Sequence, residues 1–206
     1  GTVERVEYRA RGLPGGATPA ARPLSRERMV MASGEAINGL LFFDIKAKSQ
    51  LRIVKVRSKE DARDPSARAR TSGTQVYFCR GSHDGRELNA AGWTLAANDS
   101  NEELDPGTLV LAPGETVGIM LFKSQSGSAV ANHTEAGRFG SVCEENSHLQ
   151  VFVGKTTDCD GGSSRPFECR ESAWGSGSGR GARALKGEII FEVLGGGGAA
   201  AGALPA

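Results

Sequence analysis

The sequence predicts an all-β fold: a two-layer antiparallel β-sandwich, jelly-roll-like, with flexible Gly/Ala/Pro-rich termini. Three observations predict it. Apolar runs of four to eight residues, rich in Val, Ile, Phe and Thr, recur along the chain. Turn signals separate them, at Asp105-Pro106-Gly107, Ala112-Pro113-Gly114, His83-Asp84-Gly85 and Asp160-Gly161-Gly162. Helical spacing of apolar residues is poor throughout.

Taken in order, the first strand is expected at 40–46 (LLFFDIK) and the second at 51–57 (LRIVKVR). In the second, both alternating sets carry apolar residues, so it should lie centrally in its sheet. Further strands follow at 75–80 (QVYFCR), 92–97 (GWTLAA), 109–112 (LVLA), 116–123 (TVGIMLFK), 149–153 (LQVFV) and 187–194 (GEIIFEVL), with weaker ones at 128–132 and 138–142. Stretches 24–32 and 58–64 could each form a helical turn or two, Pro65 stopping the second. Two long loops remain, a mixed-charge one at 58–74 and one at 155–185 that holds two cysteines. The expected core is Phe42, Ile45, Ile53, Val56, Val76, Phe78, Ile119, Leu121, Val151, Phe152, Ile189 and Phe191. Val151 and Phe152 point to opposite faces of their strand, so one of the two should be partly exposed or covered by a loop.

The chain of 206 residues is long enough for one sizeable core. Residues 1–29 read as a partly disordered extension, 30–194 as the sandwich and 195–206 as a flexible Gly/Ala-rich tail. With 25 Lys and Arg against 24 Asp and Glu, the formal net charge is +1, which argues against nucleic-acid binding through bulk charge. No apolar run approaches the roughly 20 residues of a membrane-spanning helix. The chain starts with Gly1 and shows no signal peptide, so a fragment or a processed form is expected.

Four cysteines, Cys79, Cys143, Cys159 and Cys169, permit two disulfides in three connectivities. A Cys159–Cys169 bridge would close a short Gly/Ser-rich loop. Sequons at Asn98 and Asn132 make both glycosylation candidates. Together these features lean toward an extracellular or cell-surface setting over a cytoplasmic one.

Motifs for chemistry fail one after another. Gly175-Ser176-Gly177-Ser178-Gly179 has glycine where a hydrolase nucleophile would stand. Gly154-Lys155-Thr156 lacks the upstream glycine of a phosphate loop. Cys143, His148, Cys159 and Cys169 offer zinc-ligand types without the tight C-x2-C pair, and the turn at Asp158 lacks the twelfth-position Glu of a calcium loop. A Cys143/His148 nucleophile–base pair is compatible with neighbouring strands, but nothing in the sequence forces it. No cofactor, metal or catalytic residue is expected.

Several stretches resemble a β-sandwich module of bacterial secreted and surface proteins that also occurs in multidomain proteins of protists and algae. They are Gly39-Leu40-Leu41-Phe42-Phe43-Asp44-Ile45, Gln75-Val76-Tyr77-Phe78, Trp93-Thr94-Leu95, the run from Leu111 to Gly118 through Pro113-Gly114-Glu115, and the run from Leu185 to Glu192. In order and spacing they are also similar to the PHR domain, a β-sandwich of ubiquitin-ligase and BTB adaptor proteins. The resemblance covers most of 35–194 and rests on core and turn positions, so it implies fold and carries over no binding residue.

The function expected is therefore that of a non-catalytic binding module that meets a protein partner or larger assembly through loops 58–74, 98–107 and 155–184. A secreted carbohydrate-binding module is the second reading and a hydrolytic enzyme the third. Candidate binding residues are Trp174, Tyr77, Arg63, Arg68, Arg70, Asp158 and Asp160.

Overall fold

A computed structural model describes residues 3–7, 23–31, 36–38, 40–58, 74–87, 89–123, 129–133, 138–157, 167 and 182–195. Along them run β1 (Val3–Glu7), β2 (Pro23–Val30), β3 (Ala36–Asn38), β4 (Leu40–Ala47), β5 (Leu51–Ser58), β6 (Thr74–Arg80), β7 (Thr94–Ala97), β8 (Val110–Leu111), β9 (Thr116–Lys123), β10 (Ala129–His133), β11 (Val142–Glu145), β12 (Leu149–Phe152), β13 (Gly154–Thr157), β14 (Ala182–Leu185) and β15 (Gly187–Leu194). Two antiparallel sheets pack together, as the all-β sandwich reading requires. The smaller has the order β1-β2-β15-β5-β8. The larger has β3-β10-β14-β13-β4-β9-β6-β7, with the β11–β12 hairpin joined to β4. Among the described residues no helix is long and apolar enough to cross a membrane.

The main core lies between the sheets. Period-two alternation sends Leu41, Phe43, Ile45 and Ala47 of β4 inward, with Val76 and Phe78 of β6 and Val117, Ile119 and Leu121 of β9. From the other sheet come Ile53 and Val56 of β5 and Ile189, Phe191 and Val193 of β15. β12 adds Leu149 and Val151, while Phe152 is only half-buried. The expected core thus loses Phe152, the residue that points away from the opposite sheet. Phe42 is fully buried, but in a second apolar cluster on the outer side of the larger sheet.

Two turns anticipated from Pro-Gly pairs close as expected. Thr108 N–H donates to the Asp105 carbonyl at 3.1 Å and Glu115 N–H to the Ala112 carbonyl at 3.0 Å. Gly107 and Gly114 stand at φ 93° and 85°, where a side chain would be strained.

Several local expectations are corrected. Of the stretch 24–32, the described residues 24–31 form no helical turn; 24–30 belong to β2, which pairs with β15 along its length, so the sheet begins before residue 30. Its inward positions are Ser25, Glu27 and Met29, so a genuine alternation carries little hydrophobic signal. The 155–185 loop holds strands at both ends, in β13 and β14. Beyond Ser58, the stretch 59–64 lies outside the described residues. Strand pairing in the N-terminal 29 residues is seen in β1 and β2. The loop 98–107 is tied down: Leu104 is buried in the main core, its N–H donates to the Val54 carbonyl at 2.7 Å, and Ser100 N–H donates to the Thr74 carbonyl at 2.6 Å.

Candidate functional site

The outward positions of the larger sheet do not face solvent as a plain polar surface. Leu40 and Phe42 of β4 and Met120 and Phe122 of β9 are buried there, and Tyr77, Trp93 and Phe167 pack on them half-buried. Of the segment between β6 and β7, His83 and Trp93 pack over this apolar layer. Trp93 lies 5.7 Å from the Phe42 ring, and its indole N–H donates to the Arg86 carbonyl at 3.0 Å. Phe167 meets Tyr77 edge-on at 5.9 Å.

One carboxylate holds the start of that segment. Asp44 Oδ1 accepts the backbone N–H of His83 at 2.9 Å and faces its Nδ1 at 2.7 Å; Oδ2 accepts the Ser82 hydroxyl at 2.6 Å. Gly118 leaves the room required: a Cβ there would lie 2.7 Å from Cys79 Sγ and 2.8 Å from His83 N. His83 is 1% exposed and stacks on Phe42, with centroids 6.1 Å apart and planes 12° apart. Its Nε2 is buried with no hydrogen-bond partner among the described residues. Phe139, on the turn 138–141, stands perpendicular to the imidazole at 5.7 Å. Lys155 Nζ sits 4.0 Å from the centre of the Phe139 ring and is paired with Asp84 at 2.6 Å and Glu87 at 3.2 Å.

The electrostatics follow from these contacts. Burial alone would raise the Asp44 carboxyl, but hydrogen bonds from the His83 ring and backbone and from the Ser82 hydroxyl hold it below its ordinary value. Lys155 is raised: burial works against its charge, and Asp84 and Glu87 outweigh it. Because the folded-state value of Asp44 is depressed, its contribution to stability is present above the unfolded value of about 3.9 and is lost as pH falls through the folded one. Asp44→Asn is therefore expected to destabilise the protein at pH 6, with a penalty that shrinks as the pH falls through the folded-state value. Urea midpoints across this range check it; an Asn penalty that does not shrink in acid would remove the carboxylate from the account.

A second polar cluster spans the sheets. Ser49 Oγ is 3.0 Å from His148 Nδ1, His148 Nε2 is 3.4 Å from Glu27 Oε1, and the Ser25 hydroxyl donates to the same Glu27 oxygen at 3.2 Å. Glu27, 6% exposed, is thus matched in an apolar surround, and both nitrogens of His148 are turned to these partners. Cys143 instead donates to the Val151 carbonyl at 3.3 Å, and burial first of all pushes its thiol up to about 11. A Cys143/His148 pair is not assembled.

Of the residues singled out in the sequence, Tyr77 is in the outer layer, its hydroxyl donating to Gln75 Oε1 at 3.0 Å. Burial raises it, and it is a wall of the aromatic cluster rather than an open platform. Asn98 is exposed, with Oδ1 3.4 Å from Gln75 Nε2, and Asn132 lies in β10 opposite Leu185. Cys79 and Cys143 are free thiols, so neither makes a disulfide, and burial raises the Cys79 thiol. Trp174, Arg63, Arg68, Arg70, Asp158, Asp160, Cys159 and Cys169 lie outside the described residues. Among the described residues no three His, Cys, Asp or Glu side chains gather as a metal site would need. Sequence reasoning missed Asp44, His83, Phe139 and Lys155. The one available signal was Asp44 itself, a carboxylate in the middle of an otherwise aromatic and aliphatic strand.

The outer face of the smaller sheet contrasts with this. Glu188 lies 2.7 Å from Arg57 and 3.8 Å from Arg28, Glu192 lies 2.6 Å from Arg52, and Arg26 pairs with Glu103. The Glu188 and Glu192 pairs run between strands and the Arg26 pair ties β2 to the 98–107 loop, so charged groups line that side.

Comparison with protein-family models, curated proteins and solved structures finds no match.

Proposed function

We propose that this chain is a non-catalytic protein-interaction or assembly module whose contact surface is the outer side of the larger sheet. The observation that supports this is the asymmetry of the two outer faces. Four large apolar side chains stand exposed among the described residues: Leu24, Leu95, Phe139 and Val142. Three of them belong to the larger sheet's outer side. Leu95 is opposite Tyr77 and Val142 opposite Phe152, both on outward registers, and Phe139 sits on His83. Leu95 and Val142 are each 42% exposed and frame the half-buried aromatics Trp93, Tyr77 and Phe167. They stand on the two ends of a six-strand run, β11-β12-β4-β9-β6-β7, a span of about 24 Å at about 4.8 Å per step. Aromatic anchors bordered by charged groups such as Lys155 and Asp84 are the usual composition of a protein-contact surface.

Leu95→Asp with Val142→Asp changes only exposed positions and should leave the melting temperature within a few degrees of wild type. Cross-linking mass spectrometry on natively sourced protein is expected to map partner contacts to β7, β11 and the 138–141 turn, and the double variant to lose them. Contacts mapped to the smaller sheet, or kept in full by the double variant, would sink this reading.

A further inference from the structure

We propose that the corner formed by His83, Phe139, Lys155, Asp84 and Glu87 is a subsite for a neutral, hydroxyl-rich ring, a saccharide, with His83 Nε2 as its buried acceptor. This goes beyond the protein-contact reading and does not depend on it. The first observation is the unpartnered nitrogen. The Asp44 carboxylate can only accept, so the neutral tautomer that fits it carries its hydrogen on Nδ1 and its lone pair at Nε2. That nitrogen is buried between Phe42 and Phe139 without a partner among the described residues, and an unmatched buried acceptor is unfavourable. A hydroxyl donor supplies what it lacks.

The second observation is the chemistry around it. Phe139, which stands against the imidazole, is 39% exposed and lies outside the main core, so it can meet a ligand at the surface. With Lys155 over one face of the ring, its other face suits the C–H side of a pyranose. Lys155, Asp84 and Glu87 converge on the same corner, and their oxygens and ammonium protons match vicinal hydroxyls. Lys155 and its two carboxylates present both donors and acceptors, the mixture that hydroxyl groups can match from either side. Asp44 fixes the imidazole from the backbone side, so the acceptor is preorganised.

The test is nitrogen-15 NMR of the histidine side chains in the intact chain, titrated with methyl glycosides of glucose, galactose, mannose and N-acetylglucosamine. Before titration, His83 is expected as the Nδ1–H form with a lone pair on Nε2. At least one glycoside should shift Nε2 toward its hydrogen-bonded range. His83→Gln and Phe139→Ala should each weaken that glycoside about tenfold or more, the loss of about one good hydrogen bond or stacking contact. Phe139→Ala, at an exposed position, keeps the fold and guards against a folding artefact in His83→Gln. If no glycoside moves Nε2, or if the shift persists undiminished in Phe139→Ala, the proposal is overturned. A cross-peak from a long-lived water at Nε2 that no glycoside displaces would assign the acceptor to buried solvent.

Discussion

Replacing Gly154 by alanine is expected to cost more than about 4 kcal/mol, enough to unfold a typical domain of marginal stability. The reason is backbone contact. A Cβ at residue 154 would lie 1.6 Å from the Phe42 carbonyl oxygen, 2.6 Å from its carbon and 2.8 Å from Phe43 Cα. None of these atoms is the end of a side chain that can swing away. β4 and β13 would have to separate where Lys155 pairs with Phe42, and β13 also pairs with β14 there. Gly187 repeats the arrangement in the smaller sheet, 1.9 Å from the Arg57 carbonyl oxygen by the same measure. Gly85→Ala is the control. Its Cβ would meet nothing within 4 Å, and the φ of 76° alone should cost about 1–2 kcal/mol. Urea unfolding of the three variants settles it. A Gly154→Ala protein no weaker than Gly85→Ala would show that the two strands do not pass this closely.

The strands that were legible in the sequence are those with both faces apolar or one face cleanly so. β4, β5, β9 and β15 supply most of the inter-sheet core and announce themselves as runs such as LLFFDIK and TVGIMLFK. β2 was hidden because a buried ion-and-hydroxyl cluster replaces apolar residues at its inward positions, with Glu27 held by Ser25 beside it and by His148 from a distant turn. Such a pairing spans more than a hundred residues and has no local signature. β13 and β14 were hidden for a different reason: they are four residues each, and a strand that short is set by its neighbours rather than by its own pattern.

The candidate corner was illegible for the same cause. His83 and Asp44 are 39 residues apart, and Lys155 reaches Asp84 across 71. Only the folded larger sheet brings β4, β13 and the 81–93 segment to one place. Tyr77 and Trp93 were legible as aromatics next to strands. Their role as walls of a second apolar layer follows from the outward placement of Phe42, Met120 and Phe122, which alternation alone would have assigned to solvent.

That second layer makes the last expectation a sharp one. Phe42 and Phe43 are neighbours in β4, point to opposite faces, and are both fully buried. A two-layer sandwich with one core would make Phe43→Ala severe and Phe42→Ala mild. Because His83, Trp93 and Phe167 roof the outer face, both substitutions should cost about 3–5 kcal/mol, the range for emptying a buried phenylalanine site. They should differ in what they disturb. Phe42 touches Trp93 and His83, whereas Phe43 belongs to the inter-sheet cluster. In a Trp174→Phe background, where Trp93 reports alone, Phe42→Ala should shift the folded-state fluorescence and Phe43→Ala should leave it near that of the parent. A Phe42→Ala penalty below about 1 kcal/mol, within the range of surface substitutions, would make the outer layer a loose cover rather than a core. It would also take away the rigid floor on which the exposed Leu95, Phe139 and Val142 are presented, since a contact surface gains affinity from anchors that are already held in place.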